Sequence, residues 1–302
     1  MISLRARMFN WYMKSIFKSK PIHLLDPKTL RDGAEAVAPD DPPKDIKLEK
    51  VAGFVKGEWH SPAQHAPERT IYYLHGGGYV FGSPKSHRAA TFALAREAAA
   101  RVFSLDYRMA PEHLFPAAVN DAVAGYQWLL ENGVEPRRLV IGGDSAGGGL
   151  ALALLLSIRE HGLPMPAGAF LYSPWTDLTG SGASILENES SDAMFKSVYI
   201  TAGAGRYLGD ADPNSPLASP LFGNFAESPP ILIFASNAEV LRDDSIRLYE
   251  RLQEAGVSVD LILKDGLIHV WPIFAGRFPE ALEDIRRTAE FIRTLTPHGE
   301  SI

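Results

Sequence analysis

The chain has 302 residues, 46% apolar and 22% charged, enough for one large α/β domain with a sizeable core or for two small domains. Its net charge of −6 argues against a nucleic-acid partner held by a basic surface. There is no cysteine, which removes disulfides, thiolate metal sites and cysteine nucleophiles, and no apolar run reaches the length of a membrane-spanning helix.

Residues 1–20 are basic and partly apolar. Arg5, Arg7, Asn10, Lys14 and Lys18 interrupt the apolar residues, so the continuous core of a signal peptide is missing and a cytoplasmic protein is expected. The segment reads as an amphipathic helix carrying Leu4, Met8, Trp11, Tyr12, Ile16 and Phe17. The favoured reading packs that face on the domain and expects no membrane partner; the basic residues leave a membrane surface as the alternative. A Pro- and Asp-rich loop, Ala38 to Pro43, then separates an N-terminal helical segment, 1–45, from the body, 46–302.

Ile46 to Val55 and Lys56 to Ser61 read as two strands joined at Gly53 or Gly57. An alternating rhythm follows. Strands are expected at Thr70 to His75, Val102 to Tyr107, Arg138 to Gly142, Ala167 to Tyr172, Pro230 to Ser236 and Val259 to Leu263. Helices are expected at Pro116 to Glu131, Ser145 to His161, Arg242 to Glu254 and Pro279 to Leu295, several of them stopped by Gly or Pro. Such alternation predicts a mostly parallel sheet covered on both faces, with ligands at the carboxyl ends of the strands. Residues 176–228 break the rhythm with turn signals and a short helical segment near Ala193 to Tyr207, and read as an inserted lid or cap.

Four stretches carry chemistry. In Gly143-Asp144-Ser145-Ala146-Gly147 a serine sits between glycines at minus two and plus two, after an apolar strand and before a Leu- and Ala-rich helix. That is the layout of a nucleophile elbow: a strained turn exposes Ser145, and the Ala146 amide opens the helix as a donor to the oxyanion. In His75-Gly76-Gly77-Gly78-Tyr79, directly after a predicted strand, bare backbone amides can approach a ligand, which suits an oxyanion hole. The spacing fits neither common phosphate-binding glycine pattern. His269 follows the last strand and has the position expected of a general base, whereas His75 is fixed beside the glycines and is expected to shape that loop. Between them, Glu239 lies nearest a strand end; Asp243 and Asp244 fall within a helix and read as its acidic first turn. Glu239 is favoured as the acid that orients the imidazole. Tyr79, Phe81 and Trp175 are candidate walls of an apolar substrate pocket.

The glycine loop, as Tyr73-Leu74-His75-Gly76-Gly77-Gly78-Tyr79, and the serine turn, as Gly143-Asp144-Ser145-Ala146-Gly147-Gly148, with Asp106-Tyr107-Arg108-Met109-Ala110-Pro111-Glu112-His113 and Phe115-Pro116-Ala117-Ala118, resemble the hormone-sensitive-lipase family of α/β-hydrolases, the family IV bacterial esterases. The resemblance spans roughly residues 70–295. It implies an α/β-hydrolase fold: a mostly parallel eight-stranded sheet flanked by helices, with a helical cap. It also implies Ser145 as nucleophile, His269 as base, and the amides of Gly77, Gly78 and Ala146 as the oxyanion hole. The family's usual acid motif, Asp-Pro-Leu-x-Asp, reads Glu239-Val240-Leu241-Arg242-Asp243 here, which aligns Glu239 with the acid; glutamate serves in that role in this fold. The Asp106-Tyr107-Arg108 motif is expected to be structural, an ion pair bracing the loop beneath the site. The implied activity is hydrolysis of short- to medium-chain acyl esters through an acyl-enzyme, with no metal or cofactor, and a homodimer through the sheet edge. A lipase, a lactone or amide hydrolase, and a non-catalytic ligand receptor are the rival readings.

Overall fold

The computed structural model describes residues 1–64 and 67–297. The last five residues of the body expected at 46–302 therefore lie outside the described residues. Among the described residues eight strands form one sheet: β1 Ile46–Val51, β2 Gly57–Pro62, β3 Arg69–Leu74, β4 Ala100–Leu105, β5 Leu139–Asp144, β6 Gly168–Tyr172, β7 Ile231–Ser236 and β8 Val259–Lys264. Their spatial order is β1-β2-β4-β3-β5-β6-β7-β8. β1 and β2 pair antiparallel, as do β2 and β4; every other neighbour is parallel. The parallel strands from β4 to β8 thus end on one rim, where their loops meet.

Each central strand feeds two cores by simple alternation. In β3, Tyr72 and Leu74 point into one cluster and Ile71 and Tyr73 into the other. The helices are α1 Leu4–Met13, α2 Pro27–Glu35, α3 Arg88–Ala98, α4 Ala117–Glu131, α5 Ala146–Glu160, α6 Ser184–Glu187, α7 Ser197–Leu208, α8 Arg242–Glu254 and α9 Pro279–Leu295. Residues of α4, α5 and α8 fill the first cluster; those of α1, α3 and α9 fill the second. In α9, Ala281, Ile285, Ala289 and Ile292 are buried at helical spacing after Pro279 in the first turn. α5 is buried on nearly every side, from Ala146 to Ile158, which explains its uniformly apolar sequence.

The four predicted helices and all the predicted strands but the first form within two residues of their expected bounds; the first, expected from Ile46 to Val55, ends at Val51, because Gly53 turns the chain with φ 144°. α3 was not expected. It is buried at Ala90 through Ala95 and at Ala98, wedged against α9 and the sheet, so its sequence lacks a polar face to mark the period.

The N-terminal helix differs from expectation in the face it buries. α1 continues as a π-helical turn, Lys14–Lys18. Leu4, Met8, Trp11, Tyr12 and Ile16, expected against the domain, are exposed; only Phe17 of the expected set packs, edge-on against Phe195. The buried face is instead Ala6, Phe9 and Met13, with Phe9 against Phe274 and Phe278. Both stripes have helical spacing, and the one with smaller Ala6 lets the helix approach the body closely.

Candidate active site

Ser145 sits between β5 and α5 with φ 52° and ψ −122°, a conformation that costs a non-glycine residue energy and persists only where its surroundings enforce it. Two backbone bonds do so: the Ser145 amide donates to Tyr172 O (2.8 Å) and the Trp175 amide donates to Ser145 O (2.9 Å). The elbow also needs its glycines. A methyl at Gly143 would lie 2.3 Å from Gly147 O, and one at Gly147 would lie 2.0 Å from Leu74 O. Backbone thus meets backbone, and β5, α5 and the end of β3 are locked together.

His269, on the loop after β8, reaches Ser145 from the same rim. Its Nε2 is 2.9 Å from Ser145 Oγ and its Nδ1 is 2.7 Å from Glu239 Oε2. With Glu239 ionised, Nδ1–H donates to the carboxylate and Nε2 is left to accept the serine proton. All three side chains are buried, with Ser145 the most accessible. Burial alone would lower the imidazole pKa, but the Glu239 carboxylate outweighs it and raises His269 above its ordinary value. Burial also raises Glu239, against the opposing hydrogen bonds from His269 and Ser173. Phe195 presses edge-on to the His269 ring at 4.9 Å.

Of the competing acids, neither aspartate reaches the imidazole. Asp243 accepts the Ser184 amide (2.9 Å) and pairs with Arg242. Asp244 accepts the Thr176 and Asp177 amides at 2.7 and 2.9 Å.

The glycine loop after β3 lies beside Ser145, and Gly77 and Gly78 line the same cavity. Gly77 has φ +116° and Gly78 φ +61°. Among the described residues neither amide finds an acceptor, and Ala146 opens α5, so its amide has none within the helix. Asp144 holds the loop in place: its Oδ1 accepts from Tyr73 OH (2.7 Å) and the Gly76 amide (3.1 Å), and His87 Nε2 stands 3.3 Å away. Burial would raise Asp144, yet His87 and Tyr73 keep it below the usual carboxylate range. His75 is fully buried, its pKa pushed down to about 3 by burial and by His87. It stacks on Tyr107 at 4.2 Å, and Tyr107 OH donates to His75 O (2.7 Å).

That contact corrects one expectation. The bracing element of Asp106-Tyr107-Arg108 is Tyr107. Arg108 pairs with Asp121 on α4 at 2.7 Å, while Asp106 is exposed. A second difference concerns the pocket. Phe81 and Trp175 line a cavity of about 590 Å³, counting its open mouth, with Ser145 in its wall. Tyr79 is buried behind them, stacked on Tyr207 at 3.8 Å.

Sequence reasoning missed several contributors. Ser173, with φ 45°, donates to Glu239 Oε1 (2.8 Å) and accepts the Val270 amide (3.0 Å), tying the loop of Glu239 to the loop of His269. Its only mark in the sequence is its place directly after β6. Ile22, His23 and Leu30 from the N-terminal segment, and Phe195, Tyr199, Ile200 and Gly203 from the 176–228 segment, complete the cavity. Nothing local marks them, since they meet Ser145 only through the tertiary fold.

The chain matches the family model described as alpha/beta hydrolase fold over residues 71–273. It is 42% identical over 258 residues to an acetyl-hydrolase of Streptomyces hygroscopicus, covering 85% of each chain. It is 36% identical over 275 residues to an esterase of Acinetobacter venetianus, covering 90% of each. Among solved structures it superposes on an esterase/lipase from an uncultured bacterium with TM-score 0.92 and 40% identity, covering 98% of this chain and 100% of that one. An esterase from the bacterial hormone-sensitive lipase family gives TM-score 0.92 and 37% identity at the same coverage. The chain belongs to the α/β-hydrolase fold family, among the esterases of its bacterial hormone-sensitive-lipase branch.

Proposed function

We propose that this protein is a serine carboxylesterase that cleaves short- to medium-chain acyl esters through an acyl-enzyme. The observation that carries the reading is the hydrogen-bonded line from Ser145 Oγ through His269 to Glu239, next to the amides of Gly77 and Gly78, which have no acceptor among the described residues. Ser145 attacks the ester carbonyl as His269 takes its proton. The amides of Gly77, Gly78 and Ala146 receive the negative charge of the tetrahedral intermediate, each donor contributing about 3 kcal/mol to the barrier. His269 then protonates the leaving alcohol, and water repeats the cycle on the acyl-enzyme while Glu239 stays ionised and fixes the imidazole tautomer.

The apolar cavity beside Ser145 supports a short acyl chain as the group bound there. Two relatives point the same way by name: the acetyl-hydrolase above, and EstE5, whose crystals were soaked with p-nitrophenyl butyrate (40% identical, TM-score 0.93, covering 98% of this chain and 100% of that one). Residues 1–45 and 176–228 act as the cap, supplying one wall of the cavity. Ser145→Ala should lower turnover of p-nitrophenyl butyrate by about 10⁵- to 10⁶-fold, measured on protein whose circular dichroism matches wild type. A variant that keeps even a tenth of the activity would refute the assignment.

A further inference from the structure

The exposed stripe of α1 has a composition that solvent exposure alone does not explain. Leu4, Met8 and Trp11 are 64%, 63% and 73% exposed, and Tyr12 lies beside them. On a helix of 100° per residue these four share one face, with Arg7 and Lys14 along one flank and Arg5 along the other. Residues 1–25 hold five cations and no acid, within a chain of net charge −6. None of Arg5, Arg7 or Lys14 forms an ion pair among the described residues. The helix cannot turn this stripe inward, because its opposite face is already held. Phe9 packs on Phe274 and Phe278, Ser3 bonds Glu280, and Asn10 donates to Gly266 O (2.7 Å).

We propose that this face of α1 docks on an anionic lipid surface. An apolar strip flanked by cations lies flat at a bilayer interface, its rings and aliphatic side chains among the acyl chains and its cations at the phosphates. A second copy of the chain fits poorly. A two-fold dimer sets the same patch against itself, which would bring the flanking cations of one copy, Arg5, Arg7 and Lys14, up to those of the other. The docked face lies near the cavity: Lys18 ends the helical segment, and Ile22, four residues on and so at most about 14 Å away, lines the cavity. Lys18 is itself anchored, its Nζ donating to Asp192 O (2.5 Å). Because vesicle binding is read without turnover, this inference stands or falls separately from the ester-hydrolase reading.

The test is co-flotation of the full chain with extruded vesicles of phosphatidylcholine alone, or mixed roughly 3:1 with phosphatidylglycerol. Wild type should float with the mixed vesicles at low salt and stay behind with the neutral ones. Trp11 is exposed while Trp59, Trp175 and Trp271 are buried, so binding should also shift the fluorescence to the blue. The double variant Met8→Ser/Trp11→Ser should lose at least ~10-fold in partitioning while its kcat/KM on a water-soluble ester is unchanged. Arg5→Glu/Arg7→Glu/Lys14→Glu should lose on the order of 10²-fold. Failure of wild type to bind the mixed vesicles, or equal binding by the double variant, would overturn the proposal. So would a wild-type dimer in sedimentation velocity that the double variant dissociates, since a second copy would then occupy the face.

Discussion

His269 is held between a carboxylate and a hydroxyl, with an aromatic edge on its ring. The proposed role of general base requires a neutral imidazole, and Glu239 raises His269 above its ordinary value despite full burial. The acid limb of kcat/KM should therefore have its midpoint above about 6.5, the unperturbed histidine value, activity falling as pH drops through it. Glu239→Gln removes the charge that favours the imidazolium, so the limb should move to lower pH while kcat drops by about 10³- to 10⁴-fold. Asp243→Asn, which touches Ser184 and Arg242 instead, should change kcat by less than about 3-fold. A limb that stays fixed in Glu239→Gln would show that this carboxylate does not control the titration of His269. Glu239 could be picked out from sequence because it lies three residues beyond a strand end, on the rim where ligands bind in such sheets. Ser173 could not, because its partners Glu239 and Val270 are distant in the chain and only the parallel register brings the three loops together.

At the level of elements, the strand–turn–helix unit around Ser145 is fixed by close backbone contact. Gly147→Ala would set a methyl 2.0 Å from Leu74 O and 2.4 Å from His75 O, pushing the glycine loop away from Ser145. The variant should lose about 1–3 kcal/mol or more of stability, and kcat with it. Gly205 in α7 is the contrast: it is exposed and a methyl there meets nothing within 4 Å. Gly205→Ala should raise Tm slightly, by about 0.5–1 kcal/mol of helix preference. Thermal melts of the two variants against wild type check both, and equal Tm values would discount the steric argument. The same contrast explains what was legible. Glycines beside a serine between apolar segments announce a crowded turn, and β5 and α5 follow from pattern. α3 hid because burial on most sides erased its period. α1 misled because it has two apolar stripes at helical spacing, and choosing between them needs the shape of the surface made by Phe274 and Phe278.

Across the whole molecule, the cavity is closed by two segments far apart in the chain that grip each other. Tyr199 OH donates to Lys18 O (3.0 Å) and Lys20 O (2.5 Å), and Arg206 Nη2 donates to His23 O (2.7 Å) and Leu25 O (3.0 Å). Arg31 in turn holds Glu112 (2.7 Å) and Val80 O (2.9 Å), tying the N-terminal segment to loops at the rim. A wall so tied does not yield readily, so its shape should limit the acyl chain. Gly203 on α7 is the place to test this. It lines the cavity, and a methyl there would sit 3.4 Å from the Trp175 ring, in ordinary contact. Gly203→Leu should therefore fill space beyond Trp175 while leaving Ser145, His269 and Glu239 untouched. On p-nitrophenyl esters, kcat/KM for hexanoate should fall at least ~10-fold relative to acetate, a difference of about 1.4 kcal/mol in transition-state binding. An equal loss on both esters would mean that the substitution disturbed the catalytic loops. No loss on either would mean that the acyl chain runs elsewhere, and that the wall built by α7 and the N-terminal segment does not set chain length.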